Sequence, residues 1–208
     1  MRSILLSVLL ACSGTALAAP TILVYGDSLS AAYGIPQNAG WVALLGERLK
    51  QRKLNYTVVN GSISGETSAG GAARIGATLA RTRPVIVIVE LGANDGLRGL
   101  PIEQMKANLA AIVQAAKGQG ARVILVGMLL PPNYGAQYVH AFRAAFREVA
   151  RDERIAFVPL LFEGVPDKRE MFQEDDLHPS ADAQPIMMEN VWRKLATIVM
   201  AAPKSVPK

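Results

Sequence analysis

Three residues that are far apart in the sequence have side chains of the types that serine-based acyl transfer requires. Ser28 lies in a Gly-Asp-Ser turn directly after a short apolar run, His178 is one of two histidines in the 208-residue chain, and Asp175 precedes it by three residues. A serine hydroxyl becomes a nucleophile when a base accepts its proton and a third group orients that base. We therefore predict Ser28 as the nucleophile, His178 as the base and Asp175 as the orienting carboxylate. Asp176, the next residue along the chain, is the alternative carboxylate.

Acyl transfer also needs hydrogen-bond donors for the oxyanion that forms on the substrate carbonyl. The backbone N–H of Ser28 is one candidate, and Gly65, which has no side chain to block the approach of a substrate, offers a second. The side-chain amide of Asn94 is the third candidate. All three residues stand in glycine-containing segments after apolar runs, which predicts that they share one edge of a sheet.

The apolar pattern predicts the elements that would position these residues. Short apolar runs predict strands over residues 21–25, 56–59, 85–89, 122–128 and 155–159. Apolar residues at helical spacing predict helices over residues 41–49, 69–81, 102–113, 138–149 and 186–198. This alternation predicts an α/β fold, a three-layer α/β/α sandwich with a mostly parallel five-stranded sheet. In such sheets the carboxyl ends of the strands carry the ligand site.

The composition narrows the class of protein. Hydrophobic residues make up 50% of the chain and charged residues 19%, which is enough for a core and is not typical of a disordered chain. A single cysteine, Cys12, excludes a disulfide scaffold and a cysteine-rich zinc site. The formal net charge of +5 comes without a cluster of Lys and Arg, so we expect no nucleic-acid partner. We expect a monomer that acts on a small molecule with no cofactor and no metal.

The first 18 residues have the organisation of a secretory signal. Arg2 is followed by an apolar run over residues 4–11, and Ala16-Leu17-Ala18 is a small-x-small cleavage site. The run is far shorter than the roughly 20 residues that span a bilayer, so we expect export to the periplasm and no stable membrane anchor. Lipidation of Cys12, within a Leu-Leu-Ala-Cys sequence, is the alternative. The predicted organisation is a cleaved signal over 1–18, a catalytic domain over 19–201 and a flexible tail over 202–208.

Four blocks of the sequence resemble the SGNH (GDSL-type) hydrolases. The blocks are Gly26-Asp27-Ser28-Leu29, Gly65 in the segment after the second predicted strand, Gly92-x-Asn94-Asp95 and Asp175-x-x-His178. The resemblance continues through residues 23–34, 130–135 and 176–185, and it is greatest to bacterial periplasmic members that act as acyl-CoA thioesterases, arylesterases and lysophospholipases. It implies a flavodoxin-like fold and a serine esterase or thioesterase that forms an acyl-enzyme on Ser28. It also implies an oxyanion hole made by Ser28, Gly65 and Asn94, with Asp27 and Asp95 supporting the loops.

Apolar residues in the loops near Ser28 predict a groove for the acyl chain. The predicted groove residues are Leu29, Leu97, Leu100, Leu130, Pro131 and Tyr134, with Met128, Leu129 and Pro132 close by in the sequence. Burial of each methylene contributes up to about 0.8 kcal/mol. We therefore expect activity to rise with acyl length until the groove ends.

Three other classes of protein compete with this interpretation. An α/β-hydrolase would carry a Gly-x-Ser-x-Gly elbow, and the chain has no such pentapeptide. A metal-assisted hydrolase could use the acidic cluster around His178, which consists of Glu174, Asp175, Asp176 and Asp182. A non-catalytic binding module could cradle phosphate in its glycine loops, although none of them matches a nucleotide-binding glycine motif.

Overall fold

The structure, a computed structural model, describes residues 18–201. The predicted tail over 202–208 and all of the predicted signal except Ala18 lie outside the described residues. The strands are β1 (Thr21–Gly26), β2 (Thr57–Asn60), β3 (Ile86–Glu90), β4 (Arg122–Val126) and β5 (Ala156–Val158). The helices are α1 (Trp41–Gln51), α2 (Ser68–Thr82), α3 (Ala93–Leu97), α4 (Ile102–Gly118), α5 (Ala136–Asp152) and α6 (Gln184–Val199).

The five strands form one sheet in the order β2-β1-β3-β4-β5, and every pair of neighbours is parallel. All five residues of the central strand β3 are buried, as expected for a parallel sheet that helices cover on both faces. Helices α2, α4 and α5 pack side by side, whereas α1 packs against α6. This arrangement confirms the predicted three-layer α/β fold, and the strand order is that of flavodoxin-like sheets.

The core between the sheet and the helices is a continuous cluster of buried apolar side chains. Its fully buried members include Tyr25 of β1 and Trp41 at the start of α1. Phe142 and Phe146 of α5 contact each other edge to face, with ring centroids 5.1 Å apart. Burial of a large apolar side chain contributes about 1.5–3 kcal/mol. This packing makes the sheet a firm base for the loops at its carboxyl edge.

Two differences from the sequence prediction occur at the edge of the sheet that carries the candidate residues. Residues 93–97, predicted as part of a loop, form the one-turn helix α3, which Gly92 precedes with a φ of 119°. A five-residue helix is too short to show the apolar periodicity that identifies longer ones. Strand β4 ends at Val126 rather than at Met128, so Met128 belongs to the loop that follows. Asn94 therefore projects from a helix, and Met128 from a loop beside it.

Candidate active site

Ser28, His178 and Asp175 form a hydrogen-bonded series at the carboxyl edge of the sheet. Ser28 Oγ lies 3.0 Å from His178 Nε2, and His178 Nδ1 lies 2.6 Å from Asp175 Oδ2. Both distances are within hydrogen-bond range. An imidazole in this position can accept the hydroxyl proton at Nε2 while the carboxylate holds its Nδ1–H. The structure thus brings together the three side chains that the sequence singled out.

The carboxylate that contacts the imidazole belongs to Asp175 and not to Asp176. Asp175 Oδ1 accepts the backbone N–H groups of Leu177 at 3.0 Å and His178 at 2.9 Å, which leaves Oδ2 for the ring. Burial raises the pKa of Asp175, but the hydrogen bonds from His178 and Leu177 outweigh it and lower the pKa to about 2. The Asp176 carboxylate instead lies 3.4 Å from Arg169 Nε.

The loop that carries His178 is tied to the loop that carries Ser28 by a glutamine. The backbone N–H of Gln173 donates to the carbonyl oxygen of His178 at 2.8 Å. Its side-chain Nε2 donates to the carbonyl oxygen of Tyr33, also at 2.8 Å, and the Tyr33 ring centroid lies 4.6 Å from that of the imidazole. Neither Gln173 nor Tyr33 is among the predicted site residues, because the two residues are 140 positions apart in the chain.

The turn that presents Ser28 rests on two buried carboxyl groups. Gly26 packs so closely against Glu90 that a Cβ at position 26 would lie 2.6 Å from Glu90 Oε2. Asp27 Oδ1 accepts the backbone N–H of Leu29 at 3.0 Å, which is the loop-supporting role that the resemblance implied. Burial raises the pKa of Asp27 to about 7 and raises that of Glu90 well above its ordinary value. Glu90 ends an otherwise apolar strand and is not among the predicted site residues.

The three candidate oxyanion donors differ in whether they already donate hydrogen bonds to other protein atoms. Within residues 18–201, the backbone N–H groups of Ser28 and Gly65 donate to no other protein atom. Gly65 has a φ of 79°, in the region that glycine adopts without a steric penalty. Asn94 Nδ2 already donates to Asp27 Oδ2 at 3.1 Å and to the Glu66 carbonyl oxygen at 3.0 Å. The Asn94 amide is therefore held between two loops, and it must share or redirect one of these bonds to reach an oxyanion.

An apolar cavity of about 80 Å³ adjoins the Ser28 hydroxyl and the His178 ring. Its apolar wall consists of Leu29, Ala93, Leu97, Met128, Leu129, Leu130, Pro131, Phe162 and Leu177. The polar side chains in this lining are those of Ser28, Asn94 and His178. Such a wall favours a hydrocarbon chain over a charged headgroup. A larger groove of about 550 Å³ lies between α1 and β2, but none of the candidate catalytic residues lines it.

Four of the six residues predicted for the acyl groove line this cavity, and two do not. The predicted residues that do line the cavity are Leu29, Leu97, Leu130 and Pro131. Tyr134 lies outside the lining, where its hydroxyl donates to the Leu97 carbonyl oxygen at 3.0 Å, and the Leu100 side chain is exposed at the surface. Position in a loop does not determine side-chain direction, so neighbours in the sequence can face different ways. Phe162 and Leu177 also line the cavity, although neither is among the predicted groove residues.

The acidic cluster around His178 does not form a metal site. Among residues 18–201, no group of three or more His, Cys, Asp or Glu side chains is arranged to hold a metal ion. The Asp175 carboxylate binds the imidazole and two backbone N–H groups, while that of Asp176 faces Arg169. Two of the four carboxylates in this cluster, those of Asp175 and Asp176, are therefore used in other contacts.

Comparison with known proteins extends these findings. A sequence model of the GDSL-like lipase/acylhydrolase family matches residues 24–185, a range that contains all four blocks of the candidate site. The chain is 50% identical over 182 residues to Esterase TesA of Pseudomonas aeruginosa, which covers 88% of this chain and 90% of that protein. It is 40% identical over 184 residues to Thioesterase 1/protease 1/lysophospholipase L1 of Escherichia coli K12, which covers 88% and 87%. The crystal structure of TesA matches with a TM-score of 0.83 at 50% identity, over 86% of this chain and 99% of that one.

Proposed function

Because this chain belongs to the GDSL-like lipase/acylhydrolase family and is a carboxylic ester hydrolase, we propose that it hydrolyses esters and thioesters through an acyl-enzyme on Ser28. The observation that carries this proposal is the 3.0 Å distance between Ser28 Oγ and His178 Nε2. The carboxylate of Asp175, 2.6 Å from the other ring nitrogen, completes the series. A nucleophile, a base and an orienting group in contact are what acyl transfer requires.

The first half-reaction transfers the acyl group to the enzyme. His178 Nε2 accepts the Ser28 proton as Oγ bonds to the carbonyl carbon. Asp175, whose pKa is lowered to about 2, is ionised at neutral pH and stabilises the imidazolium that results. The tetrahedral intermediate then breaks its bond to the leaving oxygen or sulfur, and His178 protonates the departing alcohol or thiol.

The second half-reaction releases the acyl group to water. His178, neutral again, accepts a proton from a water molecule as the water oxygen bonds to the carbonyl carbon of the acyl-enzyme. The bond to Ser28 Oγ breaks, and Oγ recovers the proton from His178. The products are a carboxylic acid and the free enzyme.

Three donors are proposed to stabilise the oxyanion in both halves of the reaction. The free backbone N–H groups of Ser28 and Gly65 can bind it directly. For Asn94 we propose that the longer of its two bonds, the 3.1 Å bond to Asp27, is redirected to the oxyanion. Burial raises the pKa of Asp27 to about 7, so part of the population carries a neutral Asp27 near neutral pH. A neutral carboxyl group is a weaker acceptor than a carboxylate, which lowers the cost of this exchange.

The apolar cavity supports an acyl chain as the part of the substrate that is bound most closely. At about 80 Å³ the cavity is well below the roughly 300–1,000 Å³ of a drug-sized ligand pocket, so it holds a short chain or the first few carbons of a longer one. Aryl esters, acyl-CoA thioesters and lysophospholipids share such a chain and differ in the leaving group. We propose all three as substrate classes.

A substrate panel tests the proposal. We expect purified enzyme to hydrolyse p-nitrophenyl esters, acyl-CoA and lysophosphatidylcholine, with kcat/KM for each class compared at one acyl length. The Ser28→Ala variant is expected to lose at least about 10³-fold in kcat, since removal of one catalytic member leaves only binding and oxyanion stabilisation. Hydrolysis no greater than that of Ser28→Ala in every class would favour a binding module instead.

We also propose export to the periplasm and action as a monomer. The signal-like pattern of residues 1–18 supports export. In the part of the chain that the structure describes, no helix has the length and apolar character needed to cross a membrane. Intact mass after expression with the native leader is expected to match a chain that begins at Ala19, in the periplasmic fraction. Retention of residues 1–18, or a lipid adduct on Cys12, would contradict this processing. The oligomeric state is measured separately by light scattering, where a molecular mass equal to that of a dimer would contradict the proposed monomer.

A further inference from the structure

One arginine of α2 forms hydrogen bonds near both ends of the loop that carries Gly65. We call residues 61–67, between β2 and α2, the oxyanion loop. Arg74 Nη1 donates to the carbonyl oxygen of Gly61 at 2.9 Å, at the start of this loop. Arg74 Nε donates to the Glu66 carboxylate, near its end. A single guanidinium group thus contacts this loop near both of its ends, in addition to the backbone bond from the Ile63 N–H to the Gly26 carbonyl oxygen.

The guanidinium group is itself fixed against the sheet. Its Cζ atom lies 4.1 Å from the centroid of the Tyr25 ring of β1, a distance at which a cation is attracted to the ring face. The Tyr25 hydroxyl donates to the Gly71 carbonyl oxygen of α2 at 2.7 Å, which fixes the ring in turn. The side chains of Arg74 and Glu66 are 23% and 12% exposed, so water screens their ion pair only partly. The Arg74–Glu66 ion pair that holds the oxyanion loop is therefore partly buried and contacts the core through Tyr25.

The position of Glu66 determines the position of two proposed oxyanion donors. Gly65 directly precedes it, so a movement of Glu66 displaces the Gly65 N–H group. The Glu66 carbonyl oxygen accepts a hydrogen bond from Asn94 Nδ2 at 3.0 Å, so the same movement displaces the Asn94 amide. Two other side chains bind the oxyanion loop: Asn60 Oδ1 accepts the Ser62 N–H at 3.1 Å, and Arg98 Nη2 donates to the Gly65 carbonyl oxygen from an exposed position.

We propose that Arg74 is a positioning residue for the oxyanion hole, which acts through Gly61 and Glu66 on the donors of Gly65 and Asn94. This inference rests on the proposed function, because it assumes that those donors bind the oxyanion. Catalysis depends on donors held close to the position that the oxyanion will occupy, and small displacements weaken them. The planar fork of arginine is needed here because its donors lie on separate nitrogen atoms and reach two acceptors at once, whereas the three donors of lysine share one ammonium nitrogen.

The test compares Arg74→Met with Arg81→Met. Methionine keeps an unbranched side chain and removes every donor, and Arg81 is an exposed residue of the same helix. Removal of an oxyanion donor costs about 10²–10³ in kcat, so we expect its displacement in Arg74→Met to cost about 10–100-fold with KM changed by less than about twofold. We expect Arg81→Met to keep kcat within about twofold. Rates are measured well below the unfolding temperature of each variant, so that a loss of stability alone does not lower kcat.

A second measurement separates positioning from a structural role. An alkyl boronic acid forms a tetrahedral adduct with a catalytic serine and places an oxygen in the oxyanion hole. We expect its inhibition constant to rise in Arg74→Met by the same factor as kcat/KM falls, because the adduct and the transition state use the same donors. An inhibition constant equal to that of Arg81→Met would overturn the proposal.

Two further variants keep the proposal testable if Arg74→Met does not fold. Arg74→Lys keeps the positive charge above Tyr25. Glu66→Gln keeps the backbone carbonyl group that accepts from Asn94, and it weakens the side-chain hydrogen bond with Arg74 because the carboxylate charge is lost. Both are expected to lower kcat in the same direction and by less than Arg74→Met, and full kcat in both would overturn the inference. Ser28→Ala in the same assay separates the two claims. If it is inactive while the Arg74 variants are fully active, only this inference fails.

Discussion

Replacement of Asp175 by asparagine tests the orienting carboxylate with little change in shape. The Asn Oδ1 atom can still accept the backbone N–H groups of Leu177 and His178, now at 3.0 and 2.9 Å from Asp175 Oδ1. The Nδ2 group would face His178 Nδ1 and donate to it, which places the imidazole proton on Nε2. A protonated Nε2 cannot accept the proton of Ser28 Oγ, so the base is lost while the loop is kept.

The magnitude follows from the exposure of the carboxylate. In a serine protease with a buried aspartate, the same change lowers kcat by about 10⁴-fold. The Asp175 side chain is 43% exposed, so water screens part of its interaction with the imidazolium. We therefore expect kcat to fall by about 10³-fold, which corresponds to about 4 kcal/mol of transition-state stabilisation.

The assay is steady-state hydrolysis of a short p-nitrophenyl ester, with Asp176→Asn as the matched control. Asp176 is the adjacent carboxylate, it faces Arg169, and its φ of 54° is one that asparagine adopts readily. We expect the control to keep kcat within about twofold. A kcat for Asp175→Asn above a tenth of the wild-type value would refute the reasoning, and so would an equal loss in both variants.

Three further predictions concern a buried acid, an oxyanion donor and the cavity. An unfolded glutamate ionises near pH 4.5 whereas folded Glu90 stays protonated to much higher pH, so the wild-type protein loses stability as pH rises through that window. In urea unfolding, the free energy of unfolding of Glu90→Gln relative to that of the wild type should therefore rise with pH, by up to about 1.4 kcal/mol per pH unit. A difference between the two proteins that does not depend on pH would contradict this prediction. Asn94→Ala should lower kcat by about 10²–10³-fold with little change in KM, and a change in KM alone would contradict its role as a donor. With p-nitrophenyl esters, kcat/KM should rise by up to about fourfold per methylene and level off after a few carbons. Phe162→Ala should move that plateau to longer chains and Leu100→Ala should not, and a flat profile from C2 onwards would argue against an acyl cavity.

The fold could be predicted from the sequence because its strands and longer helices leave regular patterns. Strand β3 is continuously apolar up to Glu90, and helix α5 repeats apolar residues at helical spacing, so each was detectable alone. The short helix α3 was not predicted, because one turn contains too few residues for a period. Its position matters, since it carries Asn94.

The candidate catalytic residues could also be proposed from the sequence, but the residues that position them could not. Ser28, Asp175 and His178 have side chains whose chemistry identifies them in the sequence. Gln173 is an ordinary polar residue whose role depends on a hydrogen bond across 140 positions. Arg74 is an ordinary basic residue of helix α2 in the sequence, and the structure places its guanidinium over a ring of β1. Such long-range contacts have no local signature.

The predicted groove shows the same physical limit. Leu100 and Tyr134 were predicted to line the groove because they lie in loops near the site, yet the Leu100 side chain is exposed at the surface and the Tyr134 hydroxyl donates to the Leu97 carbonyl oxygen. Phe162 lines the cavity from the loop after β5, a segment with no recognisable motif. Loop sequences determine which residues are near the site, whereas packing determines which of them face it.

The most direct test of the central claim, that Ser28 is the nucleophile, is covalent labelling with a p-nitrophenyl alkylphosphonate. The Ser28 hydroxyl should displace p-nitrophenol and form a phosphonyl ester. We predict one equivalent of label by intact mass, assignment of the label to Ser28 by peptide mapping, and loss of esterase activity in proportion to labelling. The Ser28→Ala variant should be neither labelled nor active. Inactivation with the label on another residue, or a Ser28→Ala variant that keeps most of its activity, would contradict the account.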